Sequence, residues 1–204
     1  MIPFIKEKRQ VVDYPQDIFD KLIKERIIFI YDTIDDNVAS EVISNLILLD
    51  QESQEKITLI INSDGGEIAA IFAIYDVMKL IKTPIETICT GSALDESLLL
   101  VIAGTKGLRS CTESAFFCLS QLYHDSYTLN DLTNVRISLD QTKENNKRFL
   151  TAIAECTSKE VIKSISNSDK KVFMNASQAK KLGLIDNIIK GKTSATPKTR
   201  NKKS

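Results

Sequence analysis

The sequence contains a single histidine, His124, among 204 residues. A mechanism with a histidine base, or a metal site with two histidine ligands, must therefore use His124 or be absent. The formal net charge is zero, with 27 basic and 27 acidic residues, and this argues against nucleic-acid binding, which needs a basic surface. The uninterrupted apolar runs, such as Leu98 to Ala103, are far shorter than the roughly 20 residues that span a bilayer, so we expect no membrane segment.

Cysteines and common catalytic motifs are also scarce. The four cysteines include no Cys-x-x-Cys pair, and no histidine is near enough in the sequence to suggest a zinc finger. A chain this long and apolar does not need a disulfide framework, and we expect buried thiols in a reducing compartment. Gly-x-Ser-x-Gly, Gly-x-Gly-x-x-Gly and phosphate-loop patterns do not occur. We therefore predict no metal and no cofactor.

The charge is distributed unevenly along the chain. Residues 190–204 contain six basic residues and no acidic one, which leaves 21 basic against 27 acidic residues in the remainder. The C-terminal stretch has no apolar periodicity, so we predict a disordered basic tail over residues 190–204. Residues 1–189 are predicted to form a single domain that begins with an N-terminal segment of about 18 residues. The N-terminus lacks the apolar stretch of a signal peptide, and we expect a protein that is not secreted.

Short apolar runs alternate with segments of helical periodicity. The predicted strands are Ile27 to Tyr31, Ile57 to Ile61, Ile85 to Cys89 and Ala115 to Leu119. Asp35 or Asp36 is expected to cap the first helix between them, whose apolar stripe includes Val42 and is widened by Ile47. Strand and helix in alternation predict an α/β fold of repeated β-α-β units with a largely parallel sheet.

Parallel sheets place their chemistry at the carboxyl ends of strands. The predicted functional loops are accordingly Asn62 to Gly66, Gly91 to Ser97, and Ser120 to Tyr127. In the first loop two glycines follow a buried strand, so backbone amides there can face a ligand or a partner strand. In the second, the adjacent residues Asp95 and Glu96 either act as an acid/base pair or satisfy the amides of a helix start.

A long polar helix is predicted from Asn130 to about Glu155. Apolar residues recur at both of its ends, while Asp140 to Arg148 is almost wholly polar. Such a helix cannot lie flat on one core, so we expect it to project and to meet another subunit; a solvated surface helix is the alternative. Two shorter helices are predicted around Ser158 to Ile165 and from Asn175 to Leu182, the second ended by Gly183.

Six segments together carry a family resemblance. They are Phe19 to Phe29, Ile34 to Ala39, Ile61 to Gly66, Ala73 to Met78, Thr87 to Gly91 and Ala179 to Asp186. These segments resemble the ClpP family, the proteolytic subunits of the ATP-dependent Clp protease, and the match is collinear from about Arg9 to Ile189. The resemblance implies a ClpP/crotonase-like fold with a projecting handle over about residues 120–155, assembled as stacked seven-membered rings. It also implies a serine protease site inside the barrel and an AAA+ chaperone docked outside.

The family's catalytic triad is replaced in this sequence. The resemblance aligns the catalytic serine with Asp95, the histidine with Leu119 and the aspartate with Lys171. A carboxylate is a weak nucleophile, and leucine can neither take nor return a proton. We therefore predict no catalytic residue and a catalytically inactive subunit, of the type called ClpR in plastids and cyanobacteria. Gly66 and Glu96 align with the two donors of the family's oxyanion hole.

Other readings of these residues remain open. A divergent serine-type or carboxylate-assisted hydrolase could use Ser92, Ser97 or Asp95 in a rearranged site. A crotonase-fold activity on acyl-CoA thioesters would use Asp95 with Glu96 as acid and base. His124 aligns with a glycine of the family's substrate groove, where we expect it to crowd the groove rather than serve as a base.

The resemblance also implies partners for the chain. Active ClpP subunits are the expected partners in hetero-oligomeric stacked heptameric rings, and Asp169 and Lys170 resemble the pair that locks the two rings. The positions that correspond to the family's chaperone-docking aromatics read Thr58, Ile60 and Ser110, with Leu80 still apolar, so weak docking of the AAA+ Clp chaperone is expected. The expected location is the plastid stroma if the gene is in the organelle, and otherwise the bacterial cytoplasm.

Overall fold

A computed structural model describes residues 18–120, 132–157, 161 and 171–191. The elements in chain order are α1 (Ile18–Lys24), β1 (Ile27–Tyr31), α2 (Asp36–Glu52), β2 (Ile57–Ser63), α3 (Ile68–Leu80), β3 (Ile85–Ala93), α4 (Leu98–Ile102), β4 (Arg109–Thr112), β5 (Phe116–Leu119), α5 (Leu132–Cys156), β6 (Val172–Asn175), α6 (Ala176–Lys181) and β7 (Asn187–Ile189). A short 3₁₀ turn, Asp95–Ser97, joins β3 to α4.

The strands form one mixed sheet that is mostly parallel. Its main order is β1-β2-β3-β4-β7, with every neighbouring pair parallel. β5 pairs in parallel with the end of β3, and β6 pairs antiparallel with β5. The prediction of an α/β fold with a largely parallel sheet is confirmed. Strands β4, β6 and β7, of three or four residues each, were not predicted from the sequence.

Helix α2 shows how apolar residues cover one face of the sheet. The Asp35 carboxylate accepts a hydrogen bond from the Val38 amide at 2.9 Å, which confirms it as the cap of α2. Val42 and Leu46 are buried against the core. The wider apolar stripe was wrong at Ile47, whose side chain is exposed, because one residue turns the helix by about 100° and carries Ile47 away from the face on which Leu46 is buried.

Two strands end side by side and thereby position the candidate site. β3 runs on past its predicted end to Ala93, where it pairs with Ser63 of β2 on one side and with Phe117 of β5 on the other. The turn after β3, the end of β2 and the end of β5 therefore meet at one edge of the sheet. This is the edge at which the sequence predicted functional loops.

The long helix α5 is anchored at its C-terminal end. Phe149 and Ile153 are fully buried there, whereas Ile137 and Leu139, nearer the other end, are exposed. The helix therefore extends beyond the core, and its contact with another subunit stays a prediction. The last predicted helix is also present: Asn175 caps α6, and Gly183 follows it with a positive φ.

Some sequence predictions fall outside the described residues. They are the helix at Ser158 to Ile165 apart from Val161, the loop with His124, the pair Asp169 and Lys170, the N-terminal segment before Ile18, and the tail from residue 192. Within the described ranges, no helix has the length and apolar character needed to cross a membrane.

Candidate functional site

The site is built around a tight turn that follows β3. Asp95 has a φ of 50°, a left-handed conformation that costs an ordinary residue roughly 1–2 kcal/mol. The turn is braced by β2, because the Leu94 amide donates to the Ser63 carbonyl at 3.0 Å and the Ser97 hydroxyl donates to the same carbonyl at 2.8 Å. The brace holds the backbone in this conformation and aims the Asp95 side chain at β5 and β6.

Both oxygens of the Asp95 carboxylate have partners. Its Oδ2 lies 2.6 Å from Nζ of Lys171, and its Oδ1 accepts a hydrogen bond from the Ser120 hydroxyl at 2.8 Å. The Cys118 thiol lies 3.5 Å from the same Oδ1. The hydrogen bond to Asp95 raises the pKa of Lys171 above its usual value. Lys171 is therefore held in its charged form and cannot act as a base.

The structure places the Leu119 side chain away from Asp95. Side chains alternate along a strand, and Cys118 and Ser120 are the ones that face Asp95. Leu119 points the other way and is only 2% exposed, within the hydrophobic core. The hydroxyl beside Asp95 therefore belongs to Ser120, the next residue along the chain. That Leu119 occupies the position of the family's histidine stays a prediction from the resemblance.

The serines of the site are engaged in structural hydrogen bonds. Ser120 is only 3% exposed and donates to Asp95. Ser97 is fully buried and donates to two backbone carbonyls. Ser92 is half-buried, with its hydroxyl 3.0 Å from Oδ1 of Asp64. A serine nucleophile needs an exposed hydroxyl with a base beside it, and of these three only Ser92 is partly exposed.

Glu96 and Gly66, aligned with the oxyanion donors, do come together. The Glu96 carboxylate lies against the Gly65 backbone, with its Oε2 2.7 Å from the point at which a Cβ on Gly65 would stand. Burial is the main cause that raises the pKa of Glu96, and the backbone amides of Glu96 and Gly66 oppose the rise because they favour the ionised form. The two amides therefore act on a carboxylate that is itself part of the chain.

A second polar cluster lies away from this site and ties the sheet together. The buried Arg109 guanidinium forms two hydrogen bonds with the Asp186 carboxylate, at 2.9 and 2.8 Å. Asp186 also accepts the Gly107 amide at 2.7 Å, and the Arg109 side chain lowers the pKa of Asp186 to about 2. Another Arg109 nitrogen donates to the Cys156 carbonyl at 3.0 Å. This cluster joins β4 to the start of β7 and to the end of α5.

The partly exposed face of the sheet carries polar side chains among its apolar ones. The Thr58 hydroxyl donates to the Glu86 carboxylate at 3.0 Å, and Lys56 forms an ion pair with the same carboxylate at 2.9 Å. Leu80, at the end of α3, is 79% exposed. Ser110 is buried in β4, so it offers no anchor to a partner.

Metal binding finds no support in the geometry. Across the described parts of the chain, no group of three or more histidine, cysteine, aspartate or glutamate side chains is placed to hold a metal ion. The four cysteines are free, and three of them are buried while Cys156 is half-buried. The site is thus a network of one carboxylate, one ammonium and one hydroxyl, next to the second carboxylate, that of Glu96.

Comparisons with known proteins match nearly the whole chain. Residues 10–192 match the family model described as Clp protease. The chain is also 36% identical, over 189 residues, to the ATP-dependent Clp protease proteolytic subunit 1 of Shouchella clausii (strain KSM-K16). That match covers 92% of this chain and 97% of the relative. The family match spans every described element, including the turn at Asp95 and the strand that begins after Lys171.

Proposed function

Because the chain belongs to the Clp protease family, we propose that it is a catalytically inactive subunit that assembles with active proteolytic subunits. The observation that carries the proposal is the ion pair between Asp95 and Lys171. The pair supports the proposal because the resemblance aligns its carboxylate, Asp95, with the nucleophile, and its cation, Lys171, with the carboxylate that orients the base.

This network offers a substrate no exposed nucleophile with a base beside it. Attack on a peptide carbonyl needs a nucleophile, and the proton must pass to a base that later returns it to the leaving amine. The ammonium of Lys171 has no lone pair to accept a proton, and its raised pKa keeps it charged. The Ser120 hydroxyl donates a hydrogen bond to Asp95, but the side chain is buried.

Assembly with other subunits is supported by features outside the site. The exposed Ile137 and Leu139 lie on the part of α5 that extends beyond the core, where a neighbouring subunit can cover them. The curated relative is named as a proteolytic subunit of an ATP-dependent protease, so we extend to this chain a place in rings that contain active subunits. Asp169 and Lys170 remain our candidates for the contact between rings.

Docking of an AAA+ Clp chaperone is proposed to be weak on this subunit. Anchors of partner loops are dominated by buried aromatic side chains. On the described sheet face Thr58 and Glu86 form a polar pair instead, with Lys56 beside them. Leu80 is the exposed apolar side chain among the positions aligned with the docking surface.

A fluorophosphonate probe, which reacts covalently with activated serines, tests the proposal. The purified chain is treated alone and after assembly with an active ClpP subunit, and the two chains are separated by mass. We expect the partner to be labelled while this chain is not. Labelling of this chain in either state would overturn the proposal. Size-exclusion chromatography gives the second readout, and a chain that stays monomeric with the partner present would contradict the assembly role.

A hydrolase with a rearranged site is the second candidate. The observation in its favour is the hydrogen bond from the Ser120 hydroxyl to the Asp95 carboxylate, since a carboxylate can act as a base for a hydroxyl. If this candidate is correct, the fluorophosphonate labels the wild-type chain, and the Ser120→Ala substitution abolishes the labelling. The Ser92→Ala variant is the matched control, because Ser92 contacts Asp64 rather than Asp95.

A further inference from the structure

The direction of the Gly66 amide is fixed by its neighbours. Ile34 and Gly66 form a parallel β-bridge, in which the Ile34 amide donates to the Gly65 carbonyl at 3.0 Å and the Glu67 amide donates to the Ile34 carbonyl at 2.8 Å. The hydrogen bonds of a parallel bridge are made by the residues on either side of Gly66. The Gly66 N–H therefore points away from Ile34, toward the turn that follows β3.

The Glu96 carboxylate occupies the space in front of that amide. Its Oε2 lies 2.7 Å from the point at which a Cβ on Gly65 would stand, so the carboxylate fits only because residue 65 is glycine. The amides of Gly66 and of Glu96 both favour its ionised form. Amides from two separate turns thus act on one anion that is part of the chain. Lys171 and Asp95 are the other charged groups that act on it, the first favouring the ionised form and the second opposing it.

We propose that Glu96 is a built-in anion that fills the pocket in which these two amides would bind the carbonyl oxygen of a substrate. Paired amides stabilise the negative charge that develops on such an oxygen during acyl transfer. A carboxylate in that place uses up both donors and repels the developing charge. The pocket is then closed to substrate by Glu96 itself, separately from the loss of the triad. This inference rests on the proposed function only in taking the turn at Asp95 as the former protease site.

Chemical rescue by acetate tests the placement of the carboxylate without any need for catalysis. In Glu96→Ala the two amides lose their anion, so acetate should bind there and raise the melting temperature saturably, by about 2–4 °C. Sodium chloride at the same ionic strength is the salt control. The wild type, Glu96→Gln, which keeps the volume of the side chain, and Glu113→Ala, which removes an exposed carboxylate, should not respond to acetate. An equal response of Glu96→Ala and the wild type would overturn the inference.

The consequence for catalysis is tested on a restored triad. The variant D95S/S120H/K171D places a serine, a histidine and an aspartate in the three positions that the structure brings together. We expect the same variant with Glu96→Ala added to react with the fluorophosphonate on the order of 100-fold faster, which is the effect of an oxyanion-hole donor. Equal labelling rates in the two variants, with both folded and assembled, would overturn the inference. If neither variant is labelled, the acetate result decides.

These outcomes separate the inference from the proposed function. Labelling of the wild-type chain would overturn the inactive-subunit proposal and leave the acetate result standing. Failure of acetate rescue would overturn the role of Glu96 and leave the ion pair of Asp95 with Lys171 as the reason for inactivity.

Discussion

Nζ of Lys171 lies 2.6 Å from Oδ2 of Asp95, although 76 residues separate the two in the sequence. The contact brings together two replacements that each look disabling when taken singly. Together they form a stable pair, because the negative charge on the turn after β3 is balanced by the positive charge at the start of β6. The charges of the site are therefore balanced by these two residues.

Lys171→Met should have a small effect on stability despite the short distance. The lysine side chain is 44% exposed, and pairs that face water are worth about 0–1 kcal/mol. We expect a loss within that range in urea unfolding, and the loss should shrink in 1 M salt because the pair is screened. Lys143→Met is the matched control, since Lys143 pairs with Asp140 at 3.4 Å on the exposed face of α5. A loss that is large and independent of salt would contradict this view of the pair.

Asp186→Ala should be far more costly than any change to the Asp95 pair. It leaves the Arg109 guanidinium, whose side chain is only 5% exposed, without its partner. Breaking a buried pair in this way costs about 3–5 kcal/mol, and partial exposure of Asp186 favours the lower end. Urea unfolding measures the loss, with Asp140→Ala as the control in an exposed pair. Equal losses in the two variants would show that Arg109 does not depend on Asp186.

Acid should destabilise the fold because it protonates the Asp186 carboxylate. The pKa of Asp186 is lowered to about 2 from an ordinary value of 3.8, so the folded state binds this proton less readily than the unfolded state. The stabilisation is complete above about pH 4 and is lost as the pH falls toward 2. The wild type should therefore lose stability over this window, whereas Asp186→Ala should lose less. Parallel pH profiles for the two proteins would contradict the assignment.

Gly66→Ala and Gly107→Ala should separate two different costs of replacing a glycine. A Cβ on residue 66 would stand 2.6 Å from the Ile34 nitrogen and 2.8 Å from its carbonyl carbon. These are backbone atoms of the bridge, so a loss of about 3 kcal/mol or more is expected. At Gly107 nothing lies within 4 Å of the new Cβ, and only the φ of 93° is unfavourable, which costs about 1 kcal/mol. Thermal unfolding of both variants measures the difference; similar shifts would contradict the close approach at Gly66.

The sequence predicted the parts of the fold that have strong local patterns. The four long or apolar strands, the cap at Asp35 and the stop at Gly183 each depend on residues close together in the chain, and all were confirmed. Strands β4, β6 and β7 contain three or four residues each, which is too few to show the alternation of apolar and polar side chains that marks a strand. Their pairing depends on partners far away in the sequence.

The site was predicted in its composition but not in its geometry. Asp95, Lys171, Gly66 and Glu96 were named from the sequence, and the structure brings them to one place. The facing of β5 was not predicted, because residues 116–119 are all apolar or cysteine, and such a run does not show which side chains face the core. A polar residue in the middle of the strand would have marked the face, and Ser120 was the available signal at its end.

Because the thiols are buried, the rate at which each cysteine is alkylated measures how often the structure around it opens. Cys89 and Cys111 lie opposite each other on β3 and β4, and burial raises their pKa values to about 12 and about 11. Cys118, beside Asp95, is also buried, with a pKa raised to about 11. Alkylation by iodoacetamide requires an exposed thiolate, so each cysteine reacts only when its own surroundings open. The alkylation rate at Cys118 therefore follows local opening of the site around Asp95. The alkylation rate at Cys89 follows separation of the central strands. These two openings have different free energies within one molecule.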